Sequence, residues 1–509
     1  MIDRDQLSSK VLSGLSWSYC SAAIDAISRL AIISILAHLL TPRDFGIVGL
    51  AIIFTTFAER VGQFGIGPAV VQSEILTRRH IDSAVVISLI TGLVMAGTLF
   101  MASYPIAGFF KEPILQPVTA VLALVFIFDA ITQVPLCLLM RDMQFKQLMI
   151  VENGAYLLGS GAMGIALALS GFGVWALVFS HLGSRLIKLL LTLKMSRSGW
   201  SISIHKQEAS QLFRTGVGFS LGRLLNFVAL QGDNLVVGRF LGAAALGLYS
   251  RSYQLMTLPS TYIAQIIDRV LFPAMAQRQS NPAKLSAVLL VGIELIGLVS
   301  LPFSVFVLLF SREIISLLFG SHWIGAAGVL QVLSLGIFFR CAYKCGDTVL
   351  RALGAVFQHA GIQAAYAALV IGGCILGSRW GLTGITIAVL AAVFINYLLL
   401  SYRALQLLRL NVQQFLAAHL PGIWLSAALA AVLLPLQIWI RSVTSSDLVV
   451  LLTAASVSTA VLLAGSRAAP DGFKPIESAK LLGRLQRPYW LLRGAEFVTG
   501  MQMRAAERL

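Results

Sequence analysis

Long apolar runs, separated by short polar breaks, follow one another along almost the whole chain. A helix needs about 20 apolar residues to cross the hydrocarbon core of a bilayer. Fourteen runs reach that size: 13–38, 46–70, 82–104, 114–138, 148–169, 172–193, 215–238, 247–271, 285–310, 325–350, 356–377, 381–402, 420–440 and 447–465. The pattern predicts an all-α integral membrane protein with about fourteen transmembrane helices. The longest interior loop, near 194–214, follows the sixth run and divides the chain into domains. These are an N-terminal six-helix lobe (1–200), a C-terminal six-helix lobe (201–410), two additional transmembrane helices (411–466) and a basic tail (467–509).

Composition agrees with that reading. Of 509 residues, 57% are hydrophobic and 12% charged, against about 45–50% and about 25% in soluble domains. The first run continues from near Val11 to Leu40, too long for a cleaved leader, and reads as a transmembrane helix. The net charge is +16. In a membrane protein such an excess points to basic loops facing anionic lipid rather than to nucleic acid. An even span count puts both termini on one side. With Arg351 counted to its span, the N-terminus and even-numbered loops carry fourteen Lys and Arg, among them Arg78, Arg79, Arg141 and Lys146. The odd-numbered loops, with Arg239 counted to its span, carry five: Arg43, Lys111, Arg312, Arg379 and Arg441. Both termini are therefore expected in the cytoplasm. The tail, with Trp490, Leu491 and Leu492 among its cations, could lie on the inner leaflet.

The two halves echo each other. HLLTPRDFGIV (38–48) aligns with RFLGAAALGLY (239–249), matching Leu40 to Leu241 and Gly46 to Gly247. VLALVFIF (121–128) aligns with VLSLGIFF (332–339), and GFGVWAL (171–177) with GLTGITI (381–387). Six spans per half give the second copy the orientation of the first. That predicts two six-helix bundles related by a pseudo-twofold axis along the membrane normal, an arrangement used by transporters with a site between repeats.

Ionisable residues inside spans mark pathways, pairs or cavities. The sharpest group is in FFRCAYKCGDTVLRALG (338–354), where Arg340, Lys344, Asp347 and Arg351 are spaced i, i+4, i+7 and i+11 on one helix face. The repeat aligns Arg340 with Asp129. A surplus of fixed cations calls for an anionic ligand, and arginine suits phosphate because its planar fork donates paired hydrogen bonds. Candidate substrate-binding residues are Arg340, Lys344 and Arg351 together with Arg29, Arg60 and Arg223. Arg185 and Lys188, near a cytoplasmic end, read as snorkelling side chains.

No HExxH, GxSxG, Walker or DxD-like pattern is present, so no catalytic or metal site is expected. The five cysteines all sit in apolar runs, and Cys341 and Cys345 read as small packing residues. TGVGFSLG (215–222) reads as close helix packing rather than a nucleotide loop.

Several segments resemble one known family. They are HLLTPRDFGIVGLA (38–51), ERVGQFGIGPAVVQ (59–72), PIAGFFKEP (105–113), LLMRDMQFK (138–146) and QGDNLVVGRFLGAAALGLYSRSYQL (231–255). The chain resembles the Wzx-type polysaccharide flippases over about residues 10–410, in the superfamily that also holds MATE-type exporters and lipid II flippases. It looks most like the branch exporting colanic acid or succinoglycan. The resemblance implies a non-enzymatic flippase for undecaprenyl-diphosphate-linked oligosaccharide in a bacterial inner membrane. It implies no cofactor, with coupling to an H+ or Na+ gradient, which makes Asp25, Glu59, Asp129 and Asp233 candidate coupling residues. Membrane lipids, a polysaccharide polymerase and a chain-length regulator are the implied partners. The alternatives weighed are an ion-coupled drug or metabolite antiporter and, less favoured, a polymerase or ligase. The odd-numbered loops are too short for an enzyme of that kind.

Overall fold

A computed structural model describes residues 4–62, 76–196, 220–266 and 282–468, with Val70, Ser203 and Met275 besides. Among the described residues all regular structure is helical. The first-half helices are α1 (Arg4–Leu39), α2 (Pro42–Gly62), α3 (Arg78–Phe110), α4 (Leu115–Leu122), α5 (Val125–Arg141), α6 (Phe145–Ala155), α7 (Gly164–Leu169) and α8 (Val174–Met195). A π-helical turn, Tyr156–Met163, joins α6 to α7. Then come α9 (Ser220–Ile266), α10 (Pro282–Phe319), α11 (Gly325–Ser334), α12 (Ile337–Ala352), α13 (Val356–Gly377) and α14 (Gly381–Leu408). A short α15 (Val412–Ala417) leads to α16 (Leu420–Val443) and α17 (Asp447–Ala468).

Eight stretches of described helix are long and apolar enough to cross a membrane, or nine if the bent pair α11–α12 is one span. One of them, Phe357–Leu408, has 52 residues, enough for two crossings. The chain is a multi-pass membrane protein. The loop at 197–202, the glycine run up to Phe219 and the tail from Ala469 lie outside the described residues.

Two of the repeat segments break within one residue of the same place. The fourth run of the first half divides at Ala123–Leu124, between α4 and α5, and its counterpart divides at Leu335–Gly336, between α11 and α12. Both breaks tighten through i→i+3 bonds, Phe126 N–H to Ala123 O and Gly336 N–H to Leu333 O. The second pair bends by 43°. Sequence read each as one continuous helix, because apolar residues fill the break as they fill the helices.

The chain forms two compact units. The first comprises Met1–Tyr253, Ile314–Val329 and Ala367–Val389; the second comprises Gln254–Glu313, Leu330–Tyr366 and Leu390–Leu509. In the first, small residues bring backbones close, as helices in lipid require. A Cβ on Gly159 would lie 2.3 Å from the Ser184 backbone, and one on Gly92 would lie 2.8 Å from Phe126 O. Ser184 Oγ donates to Ala155 O at the mouth of the π turn, so α8 lies tight against the widened helix. In the second unit, α16 crosses α10 where Gly422 meets the Gly297 backbone, a Cβ there lying 2.6 Å away. The helix α10 loses helical geometry at Phe310 (φ −107°, ψ 23°). Beside that break Gln437 Nε2 donates to Leu309 O at 2.7 Å, and the Arg441 guanidinium pairs with buried Glu313.

Candidate functional site

The close packing of α8 on the π turn fixes where Arg185 points. Instead of running out to the membrane surface, it turns inward. Its guanidinium donates to both carboxylate oxygens of Asp129 on α5, at 3.0 and 3.1 Å, and to Glu59 on α2, at 3.2 Å. One turn on, Lys188 Nζ stands 4.0 Å from Glu152. This corrects the snorkelling reading, and its physical reason is local. Two carboxylates in an apolar setting hold a guanidinium better than its own stem can deliver it to water.

The cluster borders a cavity of about 160 Å³ within the first unit. Hydroxyl and amide groups of Ser88, Thr91, Thr132 and Gln133 line it beside the charges. Ser88 Oγ is buried with no hydrogen-bond partner in the structure, while Thr91 and Thr132 donate back to their own helices. Two acids, two bases and several neutral oxygens around so small a space can hold water, a proton or a small cation.

The second unit holds the stripe. On α12, Arg340 is buried, Lys344 half-buried and Arg351 exposed, all on the face that also carries Asp347. A second polar row on α13 faces it. Arg340 donates to the Tyr366 hydroxyl at 3.0 Å; Asp347 accepts from Arg351 at 3.0 Å and pairs with His359. Gln363 stands beside His359, and the ring of Tyr343 lies 5.0 Å from Lys344 Nζ and 5.6 Å from the Arg340 guanidinium. The two helices run antiparallel, so each step along one row meets a step back along the other. The outcome is a polar seam that begins at exposed Arg351 and ends at buried Arg340.

Of the remaining candidates, Asp25, Arg29 and Asp233 have their own partners. Asp25 and Arg29 pair at 2.6 Å, and Arg29 lies over the Tyr156 ring at 4.5 Å. Arg60 is exposed at the end of α2. Asp233 is buried and accepts from Tyr249 Oη and the Asn234 N–H, both at 2.8 Å. Arg223 lies in the opening turns of α9, and its side chain is outside the described residues. Thus Glu59 and Asp129 share one pocket, Asp25 and Arg29 neutralise each other, and Arg340, Lys344 and Arg351 share one seam. Sequence reasoning missed Arg251, which stacks over Phe45 at 4.9 Å. The signal was there: the repeat aligns it with Leu50, so one half carries a cation where the other is apolar.

The multi-pass helical fold has counterparts among solved structures. The lipid II flippase MurJ, in an inward closed conformation, superposes with a TM-score of 0.67 at 14% identity, over 88% of this chain and 98% of that one. An inward-facing multidrug resistance MATE family transporter of the MOP superfamily gives 0.59 at 19% identity, over 75% and 95%. Residues 35–328 match the polysaccharide biosynthesis protein family, and the chain belongs to it. Among its relatives, the teichuronic acid biosynthesis protein TuaB of Bacillus subtilis is 25% identical, over 84% of this chain and 89% of that protein. The lipopolysaccharide biosynthesis protein WzxC of Escherichia coli is 24% identical, over 77% and 80%. The succinoglycan biosynthesis transport protein ExoT of Rhizobium meliloti is 26% identical, over 65% and 67%.

Proposed function

We propose that the protein is a flippase that moves undecaprenyl-diphosphate-linked oligosaccharide units across the bacterial inner membrane for exopolysaccharide or lipopolysaccharide synthesis. It carries out no chemistry on them. In this reading fourteen spans form two pseudo-twofold-related bundles plus an added pair, both termini are cytoplasmic, and a polymerase and chain-length regulator take the product onward. The observation that carries the reading is the α12–α13 seam, in a chain whose family is polysaccharide biosynthesis. Arg340, Lys344 and Arg351 bring three cations to that seam, where Asp347 is shared between Arg351 and His359. A diphosphate can accept charge-assisted hydrogen bonds from such groups while its polyprenyl tail stays in lipid.

Movement against a gradient needs a second ligand whose binding favours one conformation. The Glu59–Arg185–Asp129 pocket is where we place that ligand, a proton or Na+ that changes how the two acids hold Arg185. Asp25 and Asp233 take the same role less readily, since each is held by its own partners.

Arg340→Ala and Lys344→Ala, in a strain lacking the native gene, test the seam. Polymer export should fall in both while lipid-linked units accumulate on the cytoplasmic side. Unchanged export in both would end the seam's role. The carboxylate pocket favours the antiporter reading instead. Efflux of cationic drugs without any effect on polysaccharide would establish that alternative.

A further inference from the structure

The sequence repeat pairs 38–48 with 239–249 at an offset of 201 residues. In the first unit these two segments touch each other, and they do so reciprocally. A Cβ on Gly46 would lie 1.7 Å from Ala243 O; a Cβ on Gly247 would lie 1.9 Å from Pro42 O. Under the repeat, Gly46 corresponds to Gly247 and Pro42 to Ala243. Each contact is therefore the image of the other: a glycine of one copy on the backbone one turn earlier in its counterpart.

A second swapped pair stands beside the first. The end of α1 docks on the turn that closes α10: Ser34 Oγ donates to Leu318 O at 2.6 Å, Trp323 Nε1 donates to Ala37 O at 2.8 Å, and the His38 ring packs on Gly320. The corresponding stretch of α9 docks on the end of α3. There Arg239 lies over the Phe109 ring at 4.9 Å, and Gly238 faces Phe110. Each half's first span thus ends against a turn belonging to the other half. All four segments fall in odd-numbered loops or beside them, the side that the charge bias assigns away from the cytoplasm.

A transporter with a site between repeats must close one side while the other is open. Backbone-on-backbone contacts without side chains between them leave no passage for a sugar. We propose that this reciprocal crossing is the outer seal of the transport path, and that Gly46 and Gly247 are its paired closing points, which must separate for substrate to leave. The proposal rests on the transport reading above, but its geometry does not depend on the substrate. Glycine is needed for closure: contacts below 3.0 Å to a real Cβ do not occur, so any side chain at either position forces the opposing carbonyl back by more than an ångström. Because the contacts are images, the two positions should behave alike, although they lie 201 residues apart.

The test uses the full-length protein in lipid nanodiscs, with its native cysteines replaced and spin labels at Leu39→Cys and Phe240→Cys. These are repeat-equivalent, exposed positions flanking the seal. Pulsed electron resonance should find a short-distance population that Gly46→Val and Gly247→Val each abolish in favour of a longer distance. A monodisperse elution profile for each variant guards against unfolding, and Gly97→Val, with open space around it, is the control. In cells, a reducible bis-maleimide bridge between the two cysteines should block polymer export, and reductant should restore it. If either valine variant keeps the short distance, or the bridged protein exports normally in a strain whose export depends on the unbridged protein, the seal is wrong. If the distances open as expected while no variant changes polysaccharide, the seal stands and the substrate reading fails.

Discussion

Replacing Arg185 with methionine tests whether the first-unit cluster is an ion site or a packing feature. The guanidinium makes three bonds to Asp129 and Glu59 at 3.0–3.2 Å. At an effective dielectric near 20, each opposed pair at this range is worth roughly 5 kcal/mol before desolvation is counted. Removing one partner of a buried pair costs about 3–5 kcal/mol, since the charge left behind stays out of water. Here the three side chains are 18–28% exposed, so the lower end applies. At about 1 °C per kcal/mol for a chain of 509 residues, the midpoint of heat-induced aggregation should fall by roughly 3 °C. The charge-free combination Arg185→Met, Glu59→Gln, Asp129→Asn should recover most of that loss, because no ion is stranded. Polymer export, scored in a strain lacking the gene, should stay lost in both, because stability returns but the exchangeable ligand site does not. Two results would refute the reasoning: an unchanged midpoint in Arg185→Met, or full export in the charge-free protein.

Two further outcomes follow from the second unit. Asp347→Asn and Arg351→Gln, measured singly and together by thermal unfolding, should show a coupling of about 0.5–3 kcal/mol; additive effects would mean that the pair seen on α12 is not held in the membrane. Gly422→Val should loosen α16 from α10 and lower detergent stability by about 1–3 kcal/mol, the usual cost of overpacking, read by size exclusion after heating.

The extent to which sequence foretold this structure varied with the kind of interaction. Apolar run length marked the eight stretches of described helix that are long and apolar enough to cross a membrane, because the bilayer sets one dimension for all of them. The stripe of Arg340, Lys344, Asp347 and Arg351 was legible because helical periodicity alone places those residues on one face. Their partners were not. His359, Gln363 and Tyr366 look like isolated polar residues along α13, and only the antiparallel pairing brings them to the stripe. Arg185 was misjudged for a related reason. Its distance from the helix end is visible in sequence, but the wide π turn and the small residues that aim α8 inward are not. Gly46 and Gly247 were found by the repeat as matched letters; that the matched letters touch each other's copies is information only the fold carries.

That crossing also bears on ancestry. A contact in which position a of one copy meets position b of the other, and b meets a, is how the two subunits of a symmetric dimer meet. A single gene encoding half of this chain could have made both contacts with one set of residues. Fusion of two such genes would have freed the copies to diverge wherever symmetry was not needed. Leu50 and Arg251 show that divergence one turn from Gly46 and Gly247. The glycines stayed the same in both copies, and the neighbouring position became apolar in one and cationic in the other.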